Sequence, residues 1–247
     1  MKSLFALFSG LLIAATAMAQ EVAPDVLIKT VTNEVLDIVR KDKDIQSGNT
    51  RKAIDLVEAK VLPHFNFTRM TQLAMARDWR QANAAQQKIL TDEFRLLLVR
   101  TYSKALTEYK NQTIDFKPFT LKAGETDVRV RTEIKQSGAG KNIDLDYFLE
   151  KSGAAWKVYD IEVGGISLVT NYREFFASEV RNNGIDGLIK ALQAKNKSGE
   201  ATSVKKLTTL PPAPSPGEGV PLARCARRLL TGLPWDGPAA DHDPRCR

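Results

Sequence analysis

The chain is predicted to fold as an α+β domain. An antiparallel, four-stranded, curved sheet is covered on one face by helices, with an apolar pocket between sheet and helices. Three observations predict this. Apolar residues recur at helical spacing as far as about Tyr109. From Ile114 to Val163 they alternate with polar residues, the period of half-buried strands, and the links are short enough for hairpins. Helical spacing returns after Gly164-Gly165. Helices, then strands, then helices mark a domain whose helices gather on one side of a sheet.

The two ends depart from this pattern. Met1-Lys2 is a short basic start, Leu4 to Ala17 is apolar and small, and Ala17-Met18-Ala19 has the form of a cleavage site. Residues 1–19 therefore read as a secretory signal peptide. Their apolar core is too short to span a bilayer, and no Cys follows the cleavage site to carry a lipid. From Leu207 onward lie eight of the chain's 11 prolines and both cysteines, Cys225 and Cys246. No period survives there, so 207–247 is predicted to be a disordered Pro-rich tail. It reads as read-through or frameshifted sequence, or alternatively as a tether. The domain proper is then 20–206. It has no Cys and needs no disulfide, even in an oxidising compartment. The net charge of +7 fits attraction to anionic lipid head groups or acidic partners, and equally a solvated surface. The export signal and the lack of a dense basic–aromatic patch disfavour nucleic acid.

The elements follow in order. Pro24 suits a first helical turn, and Leu27, Val31, Val35, Ile38 and Val39 form one face as far as about Arg40. Asp42 to Gly48 reads as a polar loop. Thr50 can cap a second helix with Ile54, Val57 and Val61 inward, stopped at Pro63. Asn66 can cap a short helix carrying Phe67, Met70, Leu73 and Ala74. Its methionines suit either an irregular apolar guest or plain core filling. Trp79-Arg80 marks a corner that the indole can anchor. Asn83-Ala84-Ala85-Gln86 resembles a capping box and opens a long helix to about Tyr109. Phe94, Leu97, Leu98, Tyr102 and Tyr109 lie on its apolar face. Asp92, Glu93, Arg95, Arg100, Lys104 and Lys110 lie elsewhere and should be solvated.

Ile114, Phe116, Phe119 and Leu121 form a first strand region, with Pro118 marking an edge or a bulge. Val128, Val130, Thr132 and Ile134 point one way in the second strand. After a loop over Gln136 to Lys141, Ile143, Leu145, Tyr147 and Leu149 answer them in the third. The charges on the other face, Asp144 and Asp146 against Arg129 and Arg131, are expected to pair in solvent. Trp156 opens the last strand, in which Tyr159, Ile161 and Val163 point inward. Gly164-Gly165 turns the chain, with Ile166 beside the turn, and Ser167 can cap a helix carrying Leu168, Val169, Tyr172, Phe175 and Phe176. Asn182-Asn183-Gly184 is a helix stop, and Ile185, Leu188, Ile189 and Leu192 make a final amphipathic helix.

Catalytic chemistry is sparse. His64 is the only His of the domain, so a Ser-His-Asp or Cys-His site would have to use it. It sits beside Pro63 at a helix end, more often a capping or surface position, which leaves a buried carboxylate base as the other catalytic option. No His, Cys and carboxylate group has metal-ligand spacing. Gly164-Gly165 is not followed by a phosphate-binding pattern. The expectation is a non-enzymatic binding protein without cofactor or metal.

Three segments resemble the MlaC family, the periplasmic phospholipid-binding component of the bacterial maintenance-of-lipid-asymmetry, or toluene-tolerance, system. They are Trp79-Arg80; Phe94 through Leu98 to Thr101-Tyr102; and Ile161-Glu162-Val163-Gly164-Gly165-Ile166-Ser167-Leu168-Val169-Thr170-Asn171-Tyr172-Arg173 with Gly184-Ile185-Asp186-Gly187-Leu188-Ile189. The resemblance covers about Val22 to Lys195, and the Pro-rich tail departs from it. It implies an NTF2-like or cystatin-like fold and a glycerophospholipid held as cargo by its acyl tails. It also implies partners at an inner-membrane ABC transporter and an outer-membrane lipoprotein–porin complex, and transient contact near the membrane. Two acyl chains carry roughly 30 methylenes, so bringing them into water costs on the order of 20 kcal/mol, and a carrier must supply an apolar sleeve. The candidate walls are Phe67, Met70, Leu73, Trp79, Phe94, Leu97, Leu98, Tyr102 and Tyr109 on the helices, Val128, Val130, Ile134, Ile143, Leu145, Tyr147, Ile161 and Val163 on the strands, and Ile166, Leu168, Val169, Tyr172 and Phe176 after them. Arg173 is the candidate contact for a head group or a partner. A binding protein for another apolar molecule, sterol-like or an aromatic solvent, is the alternative. A scaffold whose cleft is only its own core is a third reading.

Overall fold

The computed structural model describes residues 22–109, 112–136 and 141–205, with side chains as far as 198. The stretches read as a signal peptide and a Pro-rich tail, Lys110 and the centre of the Gln136–Lys141 loop lie outside these residues.

Helix α1 spans Pro24–Lys41, with Pro24 in its first turn and Arg40 and Lys41 in its last, where cations complement the helix dipole. It buries a broader face than expected: Ile28, Val35, Leu36 and Val39. The reason is that it has two neighbours. Leu27 and Ile28 pack on the sheet, whereas Val35 and Val39 pack with Ile45, Ala53 and Leu56. The predicted polar loop contains a one-turn helix, α2 (Lys43–Gln46). Asp42 caps it, accepting from Asp44 N at 2.9 Å and Ile45 N at 3.1 Å, and its Ile45 is buried. Helix α3 (Thr50–Lys60) is capped by Asn49 rather than Thr50 and buries Ala53 and Leu56, leaving Ile54 and Val57 half-buried.

Asn66 caps α4 (Phe67–Met75), accepting from Arg69 N at 3.1 Å. A 3₁₀ turn, Ala76–Gln81, carries Trp79. The capping box of α5 (Ala84–Tyr102) is complete. Asn83 Oδ1 accepts from Gln86 N at 2.9 Å, and Gln86 Oε1 accepts from Asn83 N at 3.0 Å. The long helix ends at Ser103, and α6 (Lys104–Thr107) follows as a separate turn. Glu93 and Arg100 are not merely solvated. Asn196 Nδ2 donates to Glu93 Oε2 at 2.7 Å and Arg100 donates to the Asn196 carbonyl, tying α5 to the last described helix.

The sheet has five strands, one more than expected, in the order β1 (Thr113–Phe116), β2 (Asp127–Lys135), β3 (Ile143–Ser152), β4 (Ala155–Val163) and β5 (Ile166–Ser167), with every pair antiparallel. Strand β1 stops at Phe116, two residues before Pro118, so Phe119 and Leu121 lie outside it. Strand β5 arises because Gly164 (φ 57°) and Gly165 (φ 81°) form a two-residue hairpin turn, with Val163 opposite Ile166. The chain therefore makes a brief strand and a 3₁₀ turn, Thr170–Tyr172, before the helix begins at Arg173. Ser167 Oγ still acts as a cap, accepting from Thr170 N at 2.9 Å. Helix α7 (Arg173–Lys205) is broken at Gly184 (φ 69°, ψ −175°), where the sequence signals a stop.

Strand β4 holds a bulge. Leu149 faces Val158 and Phe148 faces Asp160, so Tyr159 is the extra residue. This shifts Tyr159 off the inward face and leaves Trp156, Val158, Ile161 and Val163 sharing it. The Tyr159 hydroxyl donates to Asp127 Oδ1 at 2.6 Å, and the Arg69 guanidinium stacks 3.9 Å from its ring centroid. Arg69 also pairs with Glu150 and, at 2.8 Å, with Asp127, so α4 is clamped to the sheet. The charged face is not uniformly wet: Asp146 is buried beneath Arg129, whose Nε donates to it at 3.0 Å.

Candidate functional site

Burial on the inward face of the sheet is graded. Residues facing one another across the strands form rows, and the row Val128, Leu149, Val158 is closed, at 7%, 0% and 1% exposure. Leu27 and Ile28 of α1 and Phe65 pack over it. The next row is Val130, Tyr147, Ile161; Val130 is buried, whereas Tyr147 and Ile161 are half-buried. Beyond it come Thr132, Leu145, Val163 and Ile166, crossing four strands, with the last three half-buried. Ile134 faces Ile143 at the far end, half-buried and buried respectively. Leu168, whose N–H donates to Ile161 O at 2.8 Å, continues the apolar surface and is also half-buried.

The second wall is helical. Met70, Phe94, Leu98, Val169, Tyr172 and Phe176 form a tight cluster from α4, α5, the turn before α7 and the start of α7, with Phe67, Leu73, Trp79 and Leu97 half-buried against it. The Phe94 ring meets Tyr172 and Phe176 edge to face, at 5.1 and 5.0 Å between centroids. Phe94, Val169 and Phe176 have no exposed surface at all. In this structure these buried side chains are packed core, and the accessible apolar surface lies on the sheet side.

Two tyrosines add polar points. Tyr147 is half-buried, and desolvation pushes its hydroxyl up to about 12. The side chain of Thr32 on α1 acts in the opposite sense, holding the shift back. Tyr102, exposed to 36%, is likewise raised by desolvation, with Tyr172 beside it adding to the shift. Beneath Leu168 and Val169 lies Asp160, raised by burial, which accepts from Ser167 Oγ, from Ile161 N at 2.8 Å and from Val169 N at 3.3 Å. This carboxylate fixes the turn into α7. Sequence reasoning missed Thr32, which lies off the apolar stripe chosen for α1. Asp160 faces Phe148, on the charged side of the sheet, yet the segment after Gly165 closes over it and buries it, and no local period announces that.

Tyr109 is not brought to this surface. It packs in the N-terminal cluster, where Arg40 Nη2 donates to its hydroxyl at 2.8 Å and the hydroxyl donates to Gln112 O at 2.8 Å. Arg173 is exposed, and its Nε donates to Leu73 O at 2.7 Å, capping the end of α4. His64 is held below its usual range by burial and by Lys157. Among the described residues no group of three His, Cys, Asp or Glu is placed to hold a metal. Two hollows open elsewhere on the surface: one of about 470 Å³ between Ala23, Leu121–Thr126, Lys151 and Trp156, and one of about 430 Å³ between the 3₁₀ turn after α4 and α7.

The family described as MlaC protein matches residues 29–194. The toluene tolerance protein ttg2D of Pseudomonas putida is 28% identical over 191 residues, covering 72% of this chain and 87% of that protein. The intermembrane phospholipid transport system binding protein MlaC of Haemophilus influenzae is 24% identical over 188 residues, covering 75% and 87%. A solved phospholipid-binding protein from Ralstonia solanacearum, in complex with a phospholipid, superposes with a TM-score of 0.65 at 39% identity, covering 71% of this chain and 98% of that one.

Proposed function

We propose, from the premise that this chain belongs to the MlaC family, that it is a non-enzymatic, periplasmic phospholipid-binding shuttle. It carries lipid between inner and outer membranes and so maintains outer-membrane lipid asymmetry. The observation that carries the reading is the half-buried apolar row Leu145, Val163, Ile166, continued by Leu168, beside a closed row on the same face of the sheet. Half-covered aliphatic surface facing inward serves no purpose in a finished core, and it is the surface an acyl chain would complete. The names of the relatives and the lipid in the solved structure point the same way.

The acyl chains are proposed to lie against Ile134, Leu145, Tyr147, Ile161, Val163, Ile166 and Leu168, with Tyr102 and Leu97 on the helical side. Because aliphatic contact carries no hydrogen-bond code, chain length is read loosely. Arg173 keeps exposed guanidinium nitrogens for a head-group phosphate or a partner. Residues 1–19 direct export and are removed, 20–206 bind lipid, and 207–247 are dispensable. Partners are an inner-membrane ABC transporter and an outer-membrane lipoprotein–porin complex. None of the described helices is long and apolar enough to cross a membrane, so delivery falls to those complexes.

Native mass spectrometry of gently purified protein tests this. Phospholipid masses on the folded chain are the expected result. A different apolar ligand would assign it to another cargo, and a bare folded protein with no extractable lipid would overturn the reading.

A further inference from the structure

The 430 Å³ hollow beside the 3₁₀ turn is lined by Arg77, Asp78, Gln81, Ala177, Val180 and Arg181. In a 3₁₀ turn, side chains three apart eclipse. Asp78 therefore stands over Gln81, and Gln81 Nε2 donates to Asp78 Oδ1 at 2.8 Å. Arg80 stands on the same edge as Arg77 for the same reason. The hollow's one carboxylate is thus engaged by an amide. Among the described residues no carboxylate forms an ion pair with Arg77, Arg80 or Arg181, and all three are exposed. This differs from Arg69 and Arg129, which each pair with two carboxylates. Ala76, just before Arg77, has φ 50° and ψ −119°, the one positive φ at a non-glycine among the described residues. Strain of this kind persists where surrounding packing imposes it, and here it sets the direction in which Arg77 leaves α4.

We propose that this hollow is a docking site for acidic side chains projecting from a partner protein, with Arg77 and Arg181 as its charged walls. Guanidinium groups meet carboxylates in fork-to-fork pairs, and these two have no internal claimant. A protein fits better than a bilayer. The hollow is recessed, its floor is Ala177 and Val180, and none of the exposed large aliphatics Val22, Val26, Ile89 and Leu121 lines it to insert into lipid. The inference rests on the carrier reading in one respect: a shuttle must dock on membrane complexes to load and unload.

The test uses the processed full-length protein and the Arg77→Glu and Arg181→Glu variants. Binding to the purified cognate inner-membrane transporter and outer-membrane complex is measured by biolayer interferometry at low and high salt. Native mass spectra report lipid content in parallel. Each variant is expected to bind one of the complexes at least tenfold more weakly, with a shallower salt dependence, while lipid content and melting temperature stay as in wild type. Binding of both complexes within twofold of wild type overturns the proposal. Anionic phosphatidylglycerol vesicles are run in the same assay, and a loss seen only with them also overturns it, since the bilayer would then be the partner. Wild-type protein free of phospholipid would remove the carrier reading and leave the docking result to be read by itself.

Discussion

The side chain of Tyr147, on the sheet, meets that of Thr32, on α1. The contact falls where coverage of the sheet changes, between the closed row at Leu149 and the half-buried row at Leu145. It holds α1 at the edge of the apolar surface without filling it.

Burial of the Tyr147 hydroxyl makes stability depend on alkaline pH. Tyr147 is raised to about 12 in the folded protein, against about 10 for an unfolded tyrosine. Its contribution is complete below pH 10 and is lost as pH rises toward 12, because the unfolded chain gives up the proton first. Tyr159, also raised to about 12, behaves alike, so a difference measurement isolates Tyr147. Urea midpoints of wild type and Tyr147→Phe should converge between pH 10 and 12. Parallel curves would mean that the ring is solvated.

Two aspartate substitutions should separate wall from core. Val163 is half-buried in the open row, so Val163→Asp is expected to fold and to lose phospholipid in native mass spectra. Leu98 is 6% exposed within the helical cluster, and Leu98→Asp buries an unpaired charge at a cost of several kcal/mol. It should fail in thermal unfolding before lipid binding can be assessed. A folded, lipid-loaded Val163→Asp protein would exclude that row from the site.

The sequence made the meander, the capping box and the break at Gly184 legible, because each is written in local period or in a residue with restricted geometry. Asn83 and Gln86 announce themselves, and so does Gly184. Two features were illegible for a shared reason. A single extra residue at Tyr159 changes which face β4 presents, yet an alternating pattern reads equally well in either register. Likewise Val169 and Phe176 look the same in sequence whether they line a guest or pack against Phe94. Only tertiary contacts decide between core and wall, so the list of candidate walls was longer than the accessible surface. Tyr109 was included because helical spacing continues past Ser103, whereas the helix itself ends there.

Arg69 should be irreplaceable by lysine. It pairs with Glu150 and Asp127 and stacks on Tyr159, and Asn66 Nδ2 donates to the same Glu150 at 2.6 Å. Arg69→Ala is expected to cost about 2 kcal/mol, as charge-assisted bonds do. Arg69→Lys should recover less than half of that, since a point charge cannot bridge two carboxylates and stack as well. Urea denaturation reads both, and full rescue by lysine would reduce the clamp to simple charge attraction.

Opposite substitutions at two backbone positions should have opposite signs. Gly184 breaks α7 at φ 69° with open space where a Cβ would stand, so Gly184→Ala is penalised by the backbone alone. The expected loss is about 1–3 kcal/mol. It falls on the junction between the segment carrying Phe176 and Val180 and the segment carrying Ile185 and Leu188. Ala76 already bears such a conformation without being glycine. Ala76→Gly relieves about 1–2 kcal/mol of strain in the fold while loosening the unfolded chain by about 0.4–1 kcal/mol, so the net effect is a small gain. Thermal unfolding of both variants tests the pair. A clear loss in Ala76→Gly would mean that the Ala76 methyl group is held by contacts worth more than the strain, and that the turn leading to Arg77 is built by packing.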